Sequence, residues 1–245
     1  MRLDKLLSHS GYGSRKDVKK MLKNGAVRVD ARIVKDAKEQ VDPDSHEVTV
    51  YGEPVNYQEF ICLMMNKPQG VLSATEDSRQ QTVVDLLDPE FLRFEPFPVG
   101  RLDKDTEGLL ILTNDGQLSH QLLSPKKHVP KTYEVHVEKP IGQAAAEQLE
   151  IGVDIGEGYV TKPAKAVIQK NENGCYRLLL TITEGKFHQV KRMLKAVDHE
   201  VIYLKRLKMG DVELDPELLP GEYRELNECE LAALKNKRHS DHPSV

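Results

Sequence analysis

The chain has 245 residues, 39% of them hydrophobic, which suffices for one good core and a small satellite domain. No run nears the ~20 apolar residues that span a bilayer, the opening Met1-Arg2-Leu3-Asp4-Lys5 lacks a signal peptide's apolar core, and Cys62, Cys175 and Cys229 form no CxxC pair, so a cytoplasmic protein with free thiols and no metal is expected. The net charge of −4 argues weakly against a nucleic-acid partner, but residues 1–52 hold 11 Lys+Arg against 8 Asp+Glu, making them +3 and the remainder −7.

In chain order, Leu3, Leu6 and Leu7 fall at helical i, i+3, i+4 spacing, and Ser14 can cap a second helix with Val18, Met21 and Leu22 on its apolar side. Arg15, Lys16, Lys19, Lys20 and Lys23 fill its other faces, interrupted only by Asp17, so the helix has little means of neutralising itself through i,i+4 pairs. It is a candidate phosphate-contact surface. Alternating Val27, Val29 and Val48, Val50 read as strands, with Asp30-Ala31 in a turn. A polar stretch with Gly52 and Pro54 marks a linker, dividing the chain into 1–52, a linker 53–59, a larger domain 60–231 and a disordered tail 232–245.

The larger domain opens with a buried strand over 61–65, ended by Asn66-Lys67-Pro68-Gln69-Gly70. A short helical pattern at 82–87, a strand at 109–112 and a helix over 117–123 behind the cap Thr113-Asn114-Asp115-Gly116 follow. Strands are predicted at 131–137, 164–168, 176–182, 201–204 and 208–212, and helices at 142–149 and 188–197. This alternation gives an α+β domain around a mostly antiparallel sheet. A second cationic cluster lies between 184 and 208, where Lys186, Lys191, Arg192, Lys195, Lys205, Arg206 and Lys208 outnumber Glu184, Asp198 and Glu200.

The most informative run is Gly100-Arg101-Leu102-Asp103-Lys104-Asp105-Thr106-Glu107-Gly108-Leu109-Leu110, which sets Asp103 on a loop with glycine at both ends, ahead of an apolar strand. On residue chemistry alone, an Asp in such a turn is more often a turn or cap residue. The run resembles the signature loop of pseudouridine synthases, in the branch that modifies ribosomal RNA and often begins with an S4-type RNA-binding domain. The same resemblance extends to Asn66-Lys67-Pro68 with Gly70-Val71, to Thr113-Asn114-Asp115-Gly116, to Lys131-Thr132-Tyr133 and to the run Glu184-Gly185-Lys186-Phe187-His188-Gln189-Val190-Lys191-Arg192-Met193. At the N-terminus, Arg2-Leu3-Asp4-Lys5-Leu6-Leu7, Gly13-Ser14-Arg15 and Gly25-Ala26-Val27-Arg28-Val29 resemble the S4 fold. Ser73-Ala74-Thr75-Glu76 looks most like the small-subunit branch.

The resemblance implies a small S4-like domain followed by a pseudouridine synthase catalytic domain, and isomerisation of one uridine in 16S ribosomal RNA. It names Asp103 as the catalytic carboxylate, acting on ribose as nucleophile or base. Lys191 occupies the position of its basic partner, with Arg192 as rival. Tyr133 would stack on the target base, Arg101 would fill the space left by the flipped nucleotide, and Leu180 would form an apolar floor. His188 is given no proton transfer. Arg2, Arg15, Lys16, Lys19, Lys20, Lys186 and Arg192 are the expected RNA contacts. The reaction needs no redox change or energy input, so no cofactor is expected; the implied partner is ribosomal RNA, free or in an assembly intermediate, met by a monomer. Rival readings are the same reaction on 23S RNA, a non-catalytic ribosome-assembly factor, and another base-flipping enzyme such as a methyltransferase. The last would need a Gly-rich nucleotide loop after a strand, and the sequence has none.

Overall fold

The computed structural model describes residues 1–170 and 176–235. Cys175 and the part of the expected tail from 236 onward lie outside that range. Two compact units result, one of residues 1–61 with 88–95, the other of 62–87 with 96–235.

In the first unit, α1 (Leu3–His9) and α2 (Arg15–Lys23) pack over a four-stranded antiparallel sheet. Its strands are β1 (Val27–Val29), β2 (Arg32–Ile33), β3 (Val48–Val50) and β4 (Glu53–Pro54), in the order β2-β1-β3-β4. Ser14 caps α2 through a reciprocal capping box with Asp17, which fixes where the basic helix starts. Asp30 and Ala31 both take positive φ, 47° and 65°, as the tight β1–β2 hairpin requires. The core is Leu3, Leu6, Leu7, Val18, Leu22, Val27, Val29, Val48 and Val50, with Val34 and Val41 added. Two boundaries need correction. Glu53 and Pro54 extend the sheet, so the predicted linker begins as an edge strand, where proline is tolerated. Helix α3 (Pro89–Leu92) and its flanks, expected in the larger domain, belong to this unit.

The second unit is built on one sheet from β5 (Cys62–Lys67), β6 (Phe97–Pro98), β7 (Glu107–Thr113), β8 (Lys131–Val137), β9 (Lys165–Lys170), β10 (Tyr176–Ile182), β11 (Val201–Met209), β12 (Val212–Glu213) and β13 (Tyr223–Glu225). The order is β13-β5-β7-β11-β8-β10-β9, with β6 on β7 and β12 on β11. Among the described strand pairs of this sheet β7–β11 alone is parallel, so the expected α+β class with a mostly antiparallel sheet is what forms. Strands β5 and β7 are buried almost throughout, while β8 and β10 alternate, which is why their periodicity is visible in sequence. Cys62, Met64, Leu109 and Ile111 face Leu118 and Leu122 of α4 (Gly116–Leu123) and Leu234 of α7 (Glu228–Lys235). Residues 232–235, expected in a disordered tail, therefore close the core. Helices α5 (Gln143–Ile151) and α6 (Gln189–Ala196) pack against β9 and β11. The two strands predicted at 201–204 and 208–212 are mostly one, β11, running through Lys205, Arg206 and Leu207.

Gly108 pairs with Arg206 where β7 meets β11, at φ +101°, and a Cβ there would collide with the Arg206 backbone. Any side chain would push the parallel pair apart at the foot of the Asp103 loop. Among the described residues no helix is long and apolar enough to cross a membrane.

Candidate active site

The loop between β6 and β7 carries Asp103 and is held by its own backbone. Ser73 Oγ donates to Leu102 O at 3.0 Å and accepts from Leu102 N at 3.1 Å. Gly70 N donates to Lys104 O at 2.8 Å, and Thr106 N to Asp103 O at 3.0 Å. Inside this turn lies the Lys67 ammonium, fully buried, donating to the carbonyls of Pro68 (2.9 Å), Thr106 (3.0 Å), Asp103 (3.2 Å) and Lys104 (3.4 Å). Burial lowers its pKa to about 8 against the opposing pull of Asp105, Asp103 and Glu107. Lys67 is thus the post around which the loop is wrapped. The sequence signal was a lysine ending an otherwise uncharged strand, in the Asn66-Lys67-Pro68 run that carried part of the resemblance.

The loop opens onto a cleft of about 840 Å3, lined among others by Arg101, Asp103, Lys131, Tyr133, Ile182, Phe187, His188, Lys191 and Arg206. Strand β8 supplies Lys131 and Tyr133 from one face, β11 supplies Arg206, and the start of α6 supplies His188 and Lys191. Asp103 is 29% exposed, with His188 Nε2 3.6 Å from Oδ1 and Lys191 Nζ 3.7 Å from Oδ2. Lys191 is held more closely by Asp105, at 2.6 and 2.8 Å, and that hydrogen bond holds the Asp105 carboxyl below its usual range. The cation is therefore shared. A carboxylate whose His188 and Lys191 neighbours stand 3.6–3.7 Å away remains available to a ligand in a way that one locked in short ion pairs does not.

The structure brings Asp103, Tyr133, Lys191, Arg101 and Lys186 to one cleft. Arg101 is exposed, with no hydrogen bond or ion pair found for it among the described residues. Two expectations need correction. Leu180 is opposite Tyr133 in the β8–β10 register but fully buried and outside the lining; Ile182, two pairs along and opposite Lys131, lines the cleft instead. Arg192 is no rival to Lys191 for Asp103, because its Nε donates to Ile155 O at 2.7 Å, which follows from its place one residue round the helix. In the first unit, Arg15, Lys16, Lys19 and Lys20 are exposed, whereas Arg2 binds the buried Asp4 carboxylate through two nitrogens at 3.0 and 2.7 Å. The second cationic cluster is dispersed. Arg206 is buried, Lys191 is paired, and Lys208 bonds Glu213. Sequence reasoning passed over Lys67, Asp105 and Phe187, the last 75% exposed at the cleft and stacked on the His188 ring at 3.8 Å.

A carboxylate on a clamped loop, an aromatic ring and cations around one cleft of a mostly antiparallel sheet, with an exposed cationic helix in the first unit, suit an RNA-modifying isomerase. The chain belongs to the RNA pseudouridine synthase family: residues 61–196 match the RNA pseudouridylate synthase family and residues 1–46 the S4 domain. It is 70% identical over 234 residues to the Uncharacterized RNA pseudouridine synthase YtzG of Bacillus subtilis (strain 168), covering 96% of this chain and 98% of that one. It is 40% identical over 237 residues to the Ribosomal small subunit pseudouridine synthase A of Escherichia coli (strain K12), covering 96% and 100%. A crystal structure of a pseudouridylate synthase superposes with a TM-score of 0.67 at 37% identity, covering 96% and 99%.

Proposed function

We propose that this protein converts one uridine of 16S ribosomal RNA to pseudouridine in the cytoplasm, with Asp103 as the carboxylate that acts on ribose. The observation that carries the reading is Asp103 itself, on a clamped loop at the cleft with His188 and Lys191 beside it. The small-subunit substrate is supported by whole-length similarity to relatives named for that subunit. The reaction breaks the C1′–N1 bond and makes C1′–C5 in its place, so it needs a group to hold C1′ or take a ribose proton, a surface for the loose base and cations for developing charge. Asp103, Tyr133 and the nearby Lys and Arg side chains supply these. The test is pseudouridine mapping of ribosomal RNA from cells with and without the gene, repeated with purified protein on 16S transcripts and assembly intermediates. Loss of one 16S site supports the reading; loss of a 23S site alone, or of none, overturns it.

Tyr133 is 8% exposed and lines the cleft. Tyr133→Phe keeps the ring and is expected to lose only what the hydroxyl supplies, whereas Tyr133→Ala should lose about 1–3 kcal/mol of base stacking as well. Equal single-turnover rates for the two would exclude stacking.

The exposed cations of α2 are the proposed RNA grip of the first unit. Lys20 lies 3.8 Å from Asp17, but so exposed a pair is worth little and leaves the helix positive. Replacing Arg15, Lys16, Lys19 and Lys20 with Ala should weaken RNA binding and flatten the slope of log K against log salt by up to ~3 to 4, at about 0.7 to 0.9 per phosphate contact. An unchanged slope would make α2 a solvated face and leave the grip elsewhere.

A further inference from the structure

Two cations on the strands of the cleft, Lys131 and Arg206, have no carboxylate in an ion pair with them among the described residues. Lys131 and Tyr133 project from the same face of β8, and Arg206 stands opposite Tyr133 on β11. Arg206 is 2% exposed; its Nε donates to Leu109 O at 2.7 Å, and its Nη2 is buried with no hydrogen-bond partner among the described residues. Lys131 Nζ donates to Val129 O at 3.1 Å. These are carbonyls, which satisfy donors but cancel no charge. Burial lowers Lys131 to about 8, with repulsion from Arg206 in the same direction and no carboxylate opposing. Lys191 and Lys67 beside the loop differ in this respect: Lys191 holds Asp105, and Lys67 feels Asp105, Asp103 and Glu107. Placing two like charges together out of water is unfavourable unless something negative joins them.

We propose that Lys131 and Arg206 form an oxyanion subsite on the cleft floor that takes the negative charge of the uracil base while it is detached from ribose. The inference rests on the pseudouridine synthase reading and names groups for a step that reading leaves without one. When C1′–N1 breaks, the bonding pair stays on N1, and the base is a uracil monoanion with its charge spread onto O2 and O4. This holds whether C1′ is taken by the Asp103 carboxylate as an ester or by a C1′–C2′ double bond as Asp103 removes the C2′ proton. The base turns, C5 bonds to C1′ with displacement of the carboxylate or return of the proton to C2′, and the C5 proton moves to N1. Atoms and electrons balance on both routes, and both pass through the same anion. Fixed cations in a pocket shielded from water stabilise such charge far better than water-exposed ones. A backbone phosphodiester carries the same singly charged oxyanion, so the source must be separated by experiment; the place of Arg206 across from Tyr133 favours the base.

The experiment is single-turnover kinetics of wild type, Lys131→Met, Lys131→Arg and Arg206→Met on RNA carrying uridine or 5-fluorouridine at the target, following bond cleavage. A third substrate has a neutral methylphosphonate beside the target. Lys131→Met should slow cleavage of uridine about 10²-fold, the scale of losing one oxyanion donor. The loss should shrink at least several-fold with 5-fluorouridine, whose more acidic base needs less help, and Lys131→Arg should recover most of the rate. If Arg206→Met fails to fold, Lys131→Met decides alone. An equal loss on both bases overturns the proposal, as does an unchanged rate. A loss confined to RNA affinity and reproduced in wild type by the methylphosphonate overturns it in favour of a phosphodiester. Wild type inactive on every RNA would be a failure of the functional reading itself, and the subsite would fall with it.

Discussion

Asp103→Asn should abolish pseudouridine formation, by at least about 10³-fold in single-turnover rate, while RNA affinity stays within a few-fold. The amide keeps the size and loop position of the side chain but can neither attack C1′ nor take a ribose proton, and losing a nucleophile or general base costs rate on this scale or more. Because Asp103 meets His188 and Lys191 only at 3.6 and 3.7 Å, neutralising it should leave the short Lys191–Asp105 pair standing and the cleft in place. Asp105 is the control. It lies two residues on, shares the same lysine, and is 69% exposed, so Asp105→Asn should release Lys191 towards Asp103 and lower the rate far less than Asp103→Asn does. Purified Asp103→Asn with full activity, or a dead Asp105→Asn beside a live Asp103→Asn, would remove Asp103 from the chemistry.

Where structure is set by neighbours in sequence, it could be read from sequence. Ser14 and Asp17 close a capping box within one turn, so the start of α2 was legible to the residue. The 131–137 and 176–182 strands alternate because one face is buried and the other is not, and both were placed with their observed bounds. The continuity of β11 is not visible in the sequence, where Lys205 and Arg206 interrupt the apolar pattern. In the sheet Arg206 is buried, its guanidinium held by a carbonyl of β7 that is 97 residues away. Strand β13 has three residues and exists by pairing with β5, and α3 has four, too few for any periodicity to register. The cleft shows the same division. The loop, Tyr133 and Lys191 stood in quotable runs, but the sharing of Lys191 between Asp103 and Asp105, and the absence of an acid beside Lys131, depend on contacts made by the fold.

Lys67→Met should both destabilise the protein and disable it. Methionine keeps an unbranched chain one atom shorter and donates nothing, so the carbonyls gathered round the ammonium lose a common donor. Asp103 O and Lys104 O keep their backbone partners Thr106 N and Gly70 N, whereas the bonds from Lys67 to Pro68 O and Thr106 O are lost outright. Leaving buried carbonyls without donors costs about 1–3 kcal/mol each, so a loss of roughly 2–5 kcal/mol is expected, in a chain of this size a fall in Tm of about 2–4 °C per kcal/mol. The loop that carries Asp103 then loses its post, and kcat should drop with it, more than KM. The pH dependence gives a second check. Lys67 titrates near 8 in the fold and near its ordinary 10.5 when unfolded, so between those values the unfolded chain binds a proton that the folded one has released, and the contribution of Lys67 to stability rises with pH. Below about 8 both states are charged and the contribution is flat. The stability gap between wild type and Lys67→Met should therefore be constant from pH 6 to about 8 and widen above it, measured by urea unfolding at each pH. A gap that narrows above pH 8, or a variant as stable and active as wild type, would show that the loop holds its shape without the buried ammonium.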